Sequence, residues 1–478
     1  MLASLEENKK WLSGLAASMV IEHDYFPEVE GVLPAALQGS LYRNGPGRFE
    51  LGSGVHKNHM LDGDGMIQAF DFLDGKVRYR NRFVRTRKYL AEEAAGKFVL
   101  PTWSTRAPGG MLRNMGDRIL SQAGVTTVVK NGCLYAFDEV GLPYGLDPDT
   151  LETRGEGDPG LGKTSLNYKA HTKTDGSTGD WLLLGVEHGP RTWLNLVVRN
   201  ACGEVTHRQR VASPRATYIH DWFFTERYVM VLLHPVELSL PRYITGLASF
   251  MDSLRWKPKK GNLLMVLDRN GANAPFMLEA DTCFMWHSLN AFDVGDSIVA
   301  DFVGYDEPDH FLGEKAAFRT IMDGKQGLQQ YKGTLRRYVI NVARKQLTQE
   351  FLSPENHEFP MVDASVAGHR HRFGYFATAA DATVFHNGLA CLDVESGKRE
   401  AVLMNDTHLG EPIFVRDACA PDQQGWLLTM GLDGRSGNSF LGIFSSQRLA
   451  DGPVARVWLR HSTPLSFHGY WHDRRCSP

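Results

Sequence analysis

The sequence predicts an all-β fold, and within that class a seven-bladed β-propeller. Beyond the first thirty residues helical periodicity is scarce and short β-rich runs dominate. Asp-Gly and Asn-Gly pairs split those runs between alternating apolar residues, the strongest local hairpin signal. Four histidines (His171, His220, His287 and His468) each lie in a strand-like apolar neighbourhood, far from the others in sequence. A radially repeating fold brings such positions together at its axis.

In chain order, AFDFLDGKVRYRNRFVR, TTVVKNGCLYAF, LLMVLDRNGA and GLACLDVESGKREAV read as hairpins. The pattern recurs from about residue 40 to the end without a linker, so residues 1–478 read as one unit. A sandwich of seven to nine strands cannot absorb that length. At about 50 to 60 residues per blade, seven blades can. Residues 41–50 (LYRNGPGRFE) lack the GxxxxGK[ST] frame of a phosphate loop, and 59–70 (HMLDGDGMIQAF) lack the closing Glu of a calcium loop. Both read as structural turns between inner strands.

Two segments break the β pattern. Residues 1–30 form an amphipathic N-terminal segment whose apolar stretch, 11–21, follows Glu6, Glu7, Lys9 and Lys10. That flank is not the basic start of a signal peptide, and the stretch is too short to span a bilayer. Residues 235–251 (PVELSLPRYITGLASFM) form an apolar, Pro-flanked insert, helical in its second half. It reads either as a loop packed on the core or as a nonpolar patch that dips into a membrane or guards a tunnel mouth.

The chain has 478 residues, 42% hydrophobic and 22% charged, with a formal net charge of −3. This is the profile of a soluble globular protein, and it excludes the basic surplus of a nucleic-acid binder. Six cysteines (133, 202, 283, 391, 419 and 476) are scattered with no CxxC pair. They read as thiols in a reducing compartment, which implies a cytoplasmic protein. Segments 11–21 and 235–251 are the candidates for peripheral membrane contact.

Imidazole is the commonest metal ligand, and an all-nitrogen set suits iron, copper, zinc or nickel. A histidine on an apolar strand is, however, more often a hydrogen-bonded core residue. His56, His59, His369, His371 and His472 compete with the four named above, and spacing alone leaves both readings open. His468 and His472 have HxxxH spacing, but Gly469 stands where a zincin needs Glu. Glu139, Glu358 and Glu411 sit among apolar residues or against proline. They read either as acceptors for the second ring N–H of metal-bound histidines or as surface residues at strand ends.

LYRNGPGRFE, HMLDGDGM, EVGLPYGLDPDTLET, LNYKAHTKTD, IHDWFFTERYVM, WHSLNAF, HEFP, EPIFV and FHGYW together resemble the carotenoid cleavage oxygenases over nearly the whole chain. The resemblance implies a propeller with a helical or loop cap over an iron-bearing face. It implies Fe(2+) held by His171, His220, His287 and His468, with Glu139, Glu358 and Glu411 behind them. Thr126 aligns with a family threonine near the open iron position. Phe137, Trp286, Phe292, Tyr305 and Phe467 adjoin these motifs and are candidates for tunnel walls or for blade packing.

Within the family the chain is most similar to the bacterial apocarotenoid oxygenases that cut the central 15,15′ double bond. That implies O₂ and a lipophilic polyene as reactants and two carbonyl products such as retinal. The stilbene- and phenylpropenoid-cleaving (lignostilbene) branch shares the iron motifs and is the alternative. It carries Lys directly before the first Glu and a Tyr elsewhere, where this chain has Asp138 and Trp103. The apocarotenoid branch carries an aromatic residue at the Asp138 position, so Asp138 departs from both. Retinoid isomerohydrolases share the motifs and cleave no double bond. A metal-free propeller serving as a scaffold or carotenoid carrier would leave the four His and three Glu unexplained.

Overall fold

Asp74 and Asn131 have φ of 50° and 49°, and the glycines that follow have 71° and 70°. Consecutive left-handed residues make the tight turn that matches strand twist. These turns close the hairpins Asp64–Leu73 with Lys76–Phe83, and Thr126–Lys130 with Cys133–Phe137. The computed structural model describes residues 10–52, 55–116, 118–160, 166–325, 327–417 and 424–474. Glu6, Glu7 and Lys9 of the N-terminal segment, and Cys419 and Cys476, lie outside the described residues.

Among the described residues seven antiparallel sheets form the blades in chain order, the all-β propeller expected from the hairpin pattern, and an eighth, two-stranded sheet pairs Val236–Leu238 with Leu254–Trp256. Blade 1 runs inward as Asp24–Tyr25, Lys76–Phe83, Asp64–Leu73, Gly39–Arg48 and His468–Asp473. The innermost strands of blades 2 to 6 are Thr126–Lys130, Asn167–Tyr168 with Lys173–Thr174, Phe223–Phe224, Phe284–Val294 and Asn356–Met361. Blade 7 starts with Thr407–Leu409 and Ile413–Arg416 and ends with Pro453–Trp458 and Glu28–Gly31. Strands from opposite ends of the chain therefore pair twice, in blades 1 and 7, and close the ring. Outer strands such as Val205–Ala212 are largely exposed, whereas inner strands such as Phe284–Val294 are largely buried. This is how a propeller leaves only short edges to water.

Residues 41–50 correct the turn reading: Gly39–Arg48 is a continuous buried strand. A Cβ on Gly45 would lie 2.7 Å from the Ser466 backbone, so the glycine there permits the close approach of the C-terminal segment. Residues 60–62 form a short 3₁₀ turn that leads into Asp64–Leu73.

The helical pieces are few and short. They include Lys10–Ala16, Arg87–Ala95, Gly110–Asn114, Leu240–Ile244, Phe250–Ser253 and Ala317–Thr320. Leu12 and Leu15 of the first, Met251 of the fifth and Phe318 of the last of these bury with Trp103 and Phe311 against Trp286 and Phe467 in one apolar cluster, so those three pieces cap the histidine-bearing face. The insert 235–251 is helical earlier than its sequence pattern suggested: strand Val236–Leu238 precedes helix Leu240–Ile244. No helix among the described residues is long and apolar enough to cross a membrane.

Candidate metal centre

The inner strands are irregular at the histidines. His171 lies in the break between Asn167–Tyr168 and Lys173–Thr174, and His220 just before Phe223–Phe224. His287 sits within a bulged stretch, where register shifts fall between Met285 and Ser288 and between Ser288 and Asn290. His468 opens the innermost strand of blade 1. Breaks and bulges re-aim side chains that regular alternation would send elsewhere.

The four rings converge. The Nε2 atom of His220 is 3.1 Å from that of His171 and 3.3 Å from that of His287. The Nε2 atoms of His287 and His468 are 3.2 Å apart. One nitrogen from each of the four lies within 4.8 Å of the others, and among the described residues they form a group that could hold a metal ion. The competitors are elsewhere. His56 faces Glu50, His59 Nδ1 accepts from Leu61 N at 3.1 Å, His369 contacts Asp175, His371 contacts Asp301, and His472 lies on a strand rather than a helix.

The three glutamates are buried and engaged. His220 Nδ1–H donates to Glu139 Oε1 at 2.9 Å, His287 Nδ1–H to Glu358 Oε2 at 2.5 Å, and His468 Nδ1–H to Glu411 Oε1 at 2.8 Å. A ring whose Nδ1 carries the proton presents a lone pair at Nε2. Three such lone pairs aimed at one point repel one another unless a cation sits among them. Burial and the neighbouring imidazoles hold His171 and His287 well below the usual imidazole range, in the neutral form a metal needs. The donor set fits a borderline transition-metal ion such as iron.

Each glutamate has a different counterweight. Burial pushes Glu139 up, but Lys169, whose Nζ is 3.6 Å away, and His220 outweigh it and leave its pKa lowered. Glu411 behaves likewise, with His468 and then Arg43 as the opposing charges. Glu358 has no Lys or Arg ion pair among the described residues, and burial pushes it up to about 7.

His171 has no carboxylate behind it among the described residues. Trp222 Nε1–H donates to its carbonyl at 2.7 Å, and Thr126 Oγ1 donates to the preceding carbonyl, that of Ala170, at 2.6 Å. Two residues on, Lys173 Nζ is 2.6 Å from Asp221 and 2.9 Å from Ser288 Oγ. Asp221 also accepts from Ser288 N and Oγ, both at 2.7 Å. The residues flanking three of the four histidines are thus clasped together. Sequence reasoning missed Lys173, Asp221, Trp222, Ser288 and Arg43, although the first four lie within two residues of a motif histidine.

Of the proposed tunnel walls, Trp286, Tyr305 and Phe467 join the apolar cluster at the cap, and Trp286 stacks on His220 at 4.3 Å. Phe137 and Phe292 are not brought there. Phe137 packs between blades against Trp181, and Phe292 lies edge-on to His371. Tyr218, Phe311 and Phe318 complete the cluster with no motif to announce them. Asp138 is committed to backbone: its oxygens accept from Gln122 N at 2.7 Å, Ala123 N at 3.2 Å and Val140 N at 2.8 Å.

Residues 17–473 match the family model described as RPE65, retinal pigment epithelial membrane protein. The chain is 30% identical over 477 residues to the apocarotenoid-15,15′-oxygenase of Synechocystis, covering 96% of each chain. It is 29% identical over 507 residues to the isoeugenol monooxygenase of Pseudomonas nitroreducens, covering 99% of this chain and 100% of that one. The crystal structure of the cobalt-substituted Synechocystis enzyme superposes with a TM-score of 0.90 at 28% identity, covering 97% of this chain and 98% of that one.

Proposed function

The chain belongs to the RPE65 and carotenoid oxygenase family, and from that premise we propose a non-haem Fe(2+) enzyme that cleaves the 15,15′ double bond of an apocarotenoid with O₂, yielding two carbonyl products such as retinal. Its relatives are named as oxygenases and dioxygenases, and the chain is an oxygenase. The observation that carries the metal assignment is the convergence of four Nε2 atoms in front of three buried carboxylates.

His171, His220, His287 and His468 would hold the Fe(2+). When bound there, the metal supplies O₂ activation. Glu139, Glu358 and Glu411 keep the Nδ1 protons in place, so that Nε2 faces the metal. Trp286, Phe311 and Phe318 form an apolar wall beside His220 that excludes water and orients an extended alkene, so bond selectivity comes from where the substrate stops. Thr126 acts through the Ala170 carbonyl on the placement of His171.

A nonpolar surface patch suits delivery of a lipophilic substrate. Leu112, on helix Gly110–Asn114, and Leu247, in the bend after helix Leu240–Ile244, are 75% and 58% exposed, and the two segments are joined by Gly116 N donating to the Ile244 carbonyl. This patch is the best candidate for peripheral membrane contact. The stretch 11–21 contributes less than its hydropathy suggested, because Leu12 and Leu15 are buried and only Val20 and Ile21 stand out.

Full-length similarity to an isoeugenol monooxygenase favours a second reading, cleavage of a phenylpropenoid. Asp138, pinned by three backbone N–H groups, is not free to serve a phenol there. The test is incubation of iron-quantified protein with β-apo-8′-carotenal, with and without O₂, and chromatography of the products. Oxygen-dependent retinal supports central cleavage. Bound iron with no product, but vanillin from isoeugenol, replaces it with the second reading.

A further inference from the structure

His310 lies between strand Ser297–Tyr305 and helix Ala317–Thr320, and it is 1% exposed. Among the described residues, neither of its ring nitrogens has a hydrogen-bond partner. Aromatic faces surround it: Tyr305 at 4.3 Å, Trp286 edge-on at 5.4 Å, Phe284 at 5.9 Å and Phe318 at 6.2 Å. Trp286 is the ring stacked on His220, so a polar side chain sits two ring contacts from the metal centre, under the cap.

Burial keeps the His310 ring far below its usual range, at about 3, so it is neutral, with one N–H and one lone pair. Leaving both unmade in an apolar setting is costly, and native folds seldom do it without a reason. His386, His408 and His461 also have unpartnered rings among the described residues, but His386 and His408 adjoin each other and His461 stacks on His23 at 4.1 Å. His310 instead faces the apolar wall assigned above to the substrate.

We infer that His310 is the hydrogen-bonding anchor for an oxygen atom, hydroxyl or carbonyl, carried by the alkene substrate. This rests on the oxygenase reading and adds to it the feature that selects among alkenes. A neutral imidazole suits both chemistries: its N–H donates to a carbonyl, and its lone pair accepts from a hydroxyl.

The test is equilibrium binding to the iron-loaded full chain without O₂, using matched ligands in two arms. One arm compares an apocarotenal with the same polyene ending in a methyl group. The other compares isoeugenol with the same aryl alkene lacking its hydroxyl. In the arm that matches the natural substrate, the oxygenated member is expected to bind about tenfold tighter or more. His310→Phe, which keeps a ring and removes both nitrogens, is expected to bring that ratio to within about twofold. His310→Gln, which keeps a donor and an acceptor, is expected to retain part of it.

Iron content and circular dichroism establish that each variant is folded, and if His310→Phe is not, a full loss of the ratio in His310→Leu serves in its place. A ratio unchanged in these variants overturns the inference, as does equal binding of both members by the unmodified protein in both arms. A His310-dependent preference without any cleavage overturns the oxygenase reading alone. Cleavage without that preference overturns this inference alone.

Discussion

His468 Nδ1 lies 2.8 Å from Glu411 Oε1, and the other oxygen of that carboxylate is 2.6 Å from Arg43 Nη1. The pair joins blade 7 to the last strand of blade 1, and Arg43 reaches it from the strand beside that one. Closure of the ring and orientation of a candidate ligand are therefore one construction.

Arg43→Met would leave Glu411 buried without its cation. Removing one partner of a buried pair costs about 3–5 kcal/mol. The variant is expected to unfold at lower denaturant and to release iron faster to a chelator, with Arg43→Lys recovering part of both. Denaturant melts and chelator kinetics check this, and unchanged values in both would detach Arg43 from the site.

His220→Ala is expected to lose iron and turnover together, since His220 Nε2 lies between those of His171 and His287. Metal analysis of the purified variant decides. Stoichiometric iron with normal turnover would refute the four-histidine assignment.

Glu358→Gln tests the carboxylate with no accompanying Lys or Arg. Its amide keeps an oxygen for His287 Nδ1–H, so the fold is expected to survive while iron affinity falls about 10- to 100-fold. Competition with a chelator of known affinity gives the number, and an unchanged affinity would show that the negative charge of Glu358 does not tune the site.

Lys173→Met removes the cation that clasps Asp221 and Ser288 beside His220 and His287. His171 has no carboxylate behind it among the described residues, so this clasp, with the Trp222 and Thr126 hydrogen bonds to the backbone there, is what holds its position. The variant is expected to bind cobalt with a changed visible spectrum and weaker affinity, and Lys173→Arg is expected to restore both in part. A wild-type cobalt spectrum in Lys173→Met would show that the clasp does not position the ligand.

Asp138 gives a pH signature. Burial pushes its carboxyl up to about 6, partly opposed by the backbone N–H groups of Val140, Gln122 and Ala123, whereas an unfolded aspartate titrates near about 3.9. Between those values the folded state holds a proton that the unfolded state has released, so this group lowers stability as pH rises from about 4 to about 6. Asp138→Asn carries no such slope. Relative to the wild type it is expected to gain on the order of 2–3 kcal/mol across that window, on top of a constant loss from a missing acceptor. Parallel urea melts at pH 4, 5 and 6 check it; a constant difference would mean that Asp138 titrates normally.

Much of the fold was legible. The Asp74–Gly75 and Asn131–Gly132 turns have the conformations their residues suggest, because few other residues accept consecutive positive φ. Residues 41–50 misled, because Gly45, Pro46 and Gly47 look like a turn. They form a strand because the Ser466 backbone presses against Gly45, a contact between residues at opposite ends of the chain. Residues 110–116 gave no local sign that they extend the exposed apolar patch of the insert, since that depends on the Gly116–Ile244 hydrogen bond.

The site divides along the same line. Residue type and apolar context determined which histidines and glutamates were candidates, because the chemistry of imidazole and the cost of burying a carboxylate are local properties. Whether they met, and which glutamate served which ring, was decided by the closure of seven blades. So was the fate of Phe137 and Phe292, which neighbour the motifs in sequence and still point away from the cap. A strand alternates its side chains between two environments, and bulges reset that alternation. Only the assembled sheets decide which side faces the axis.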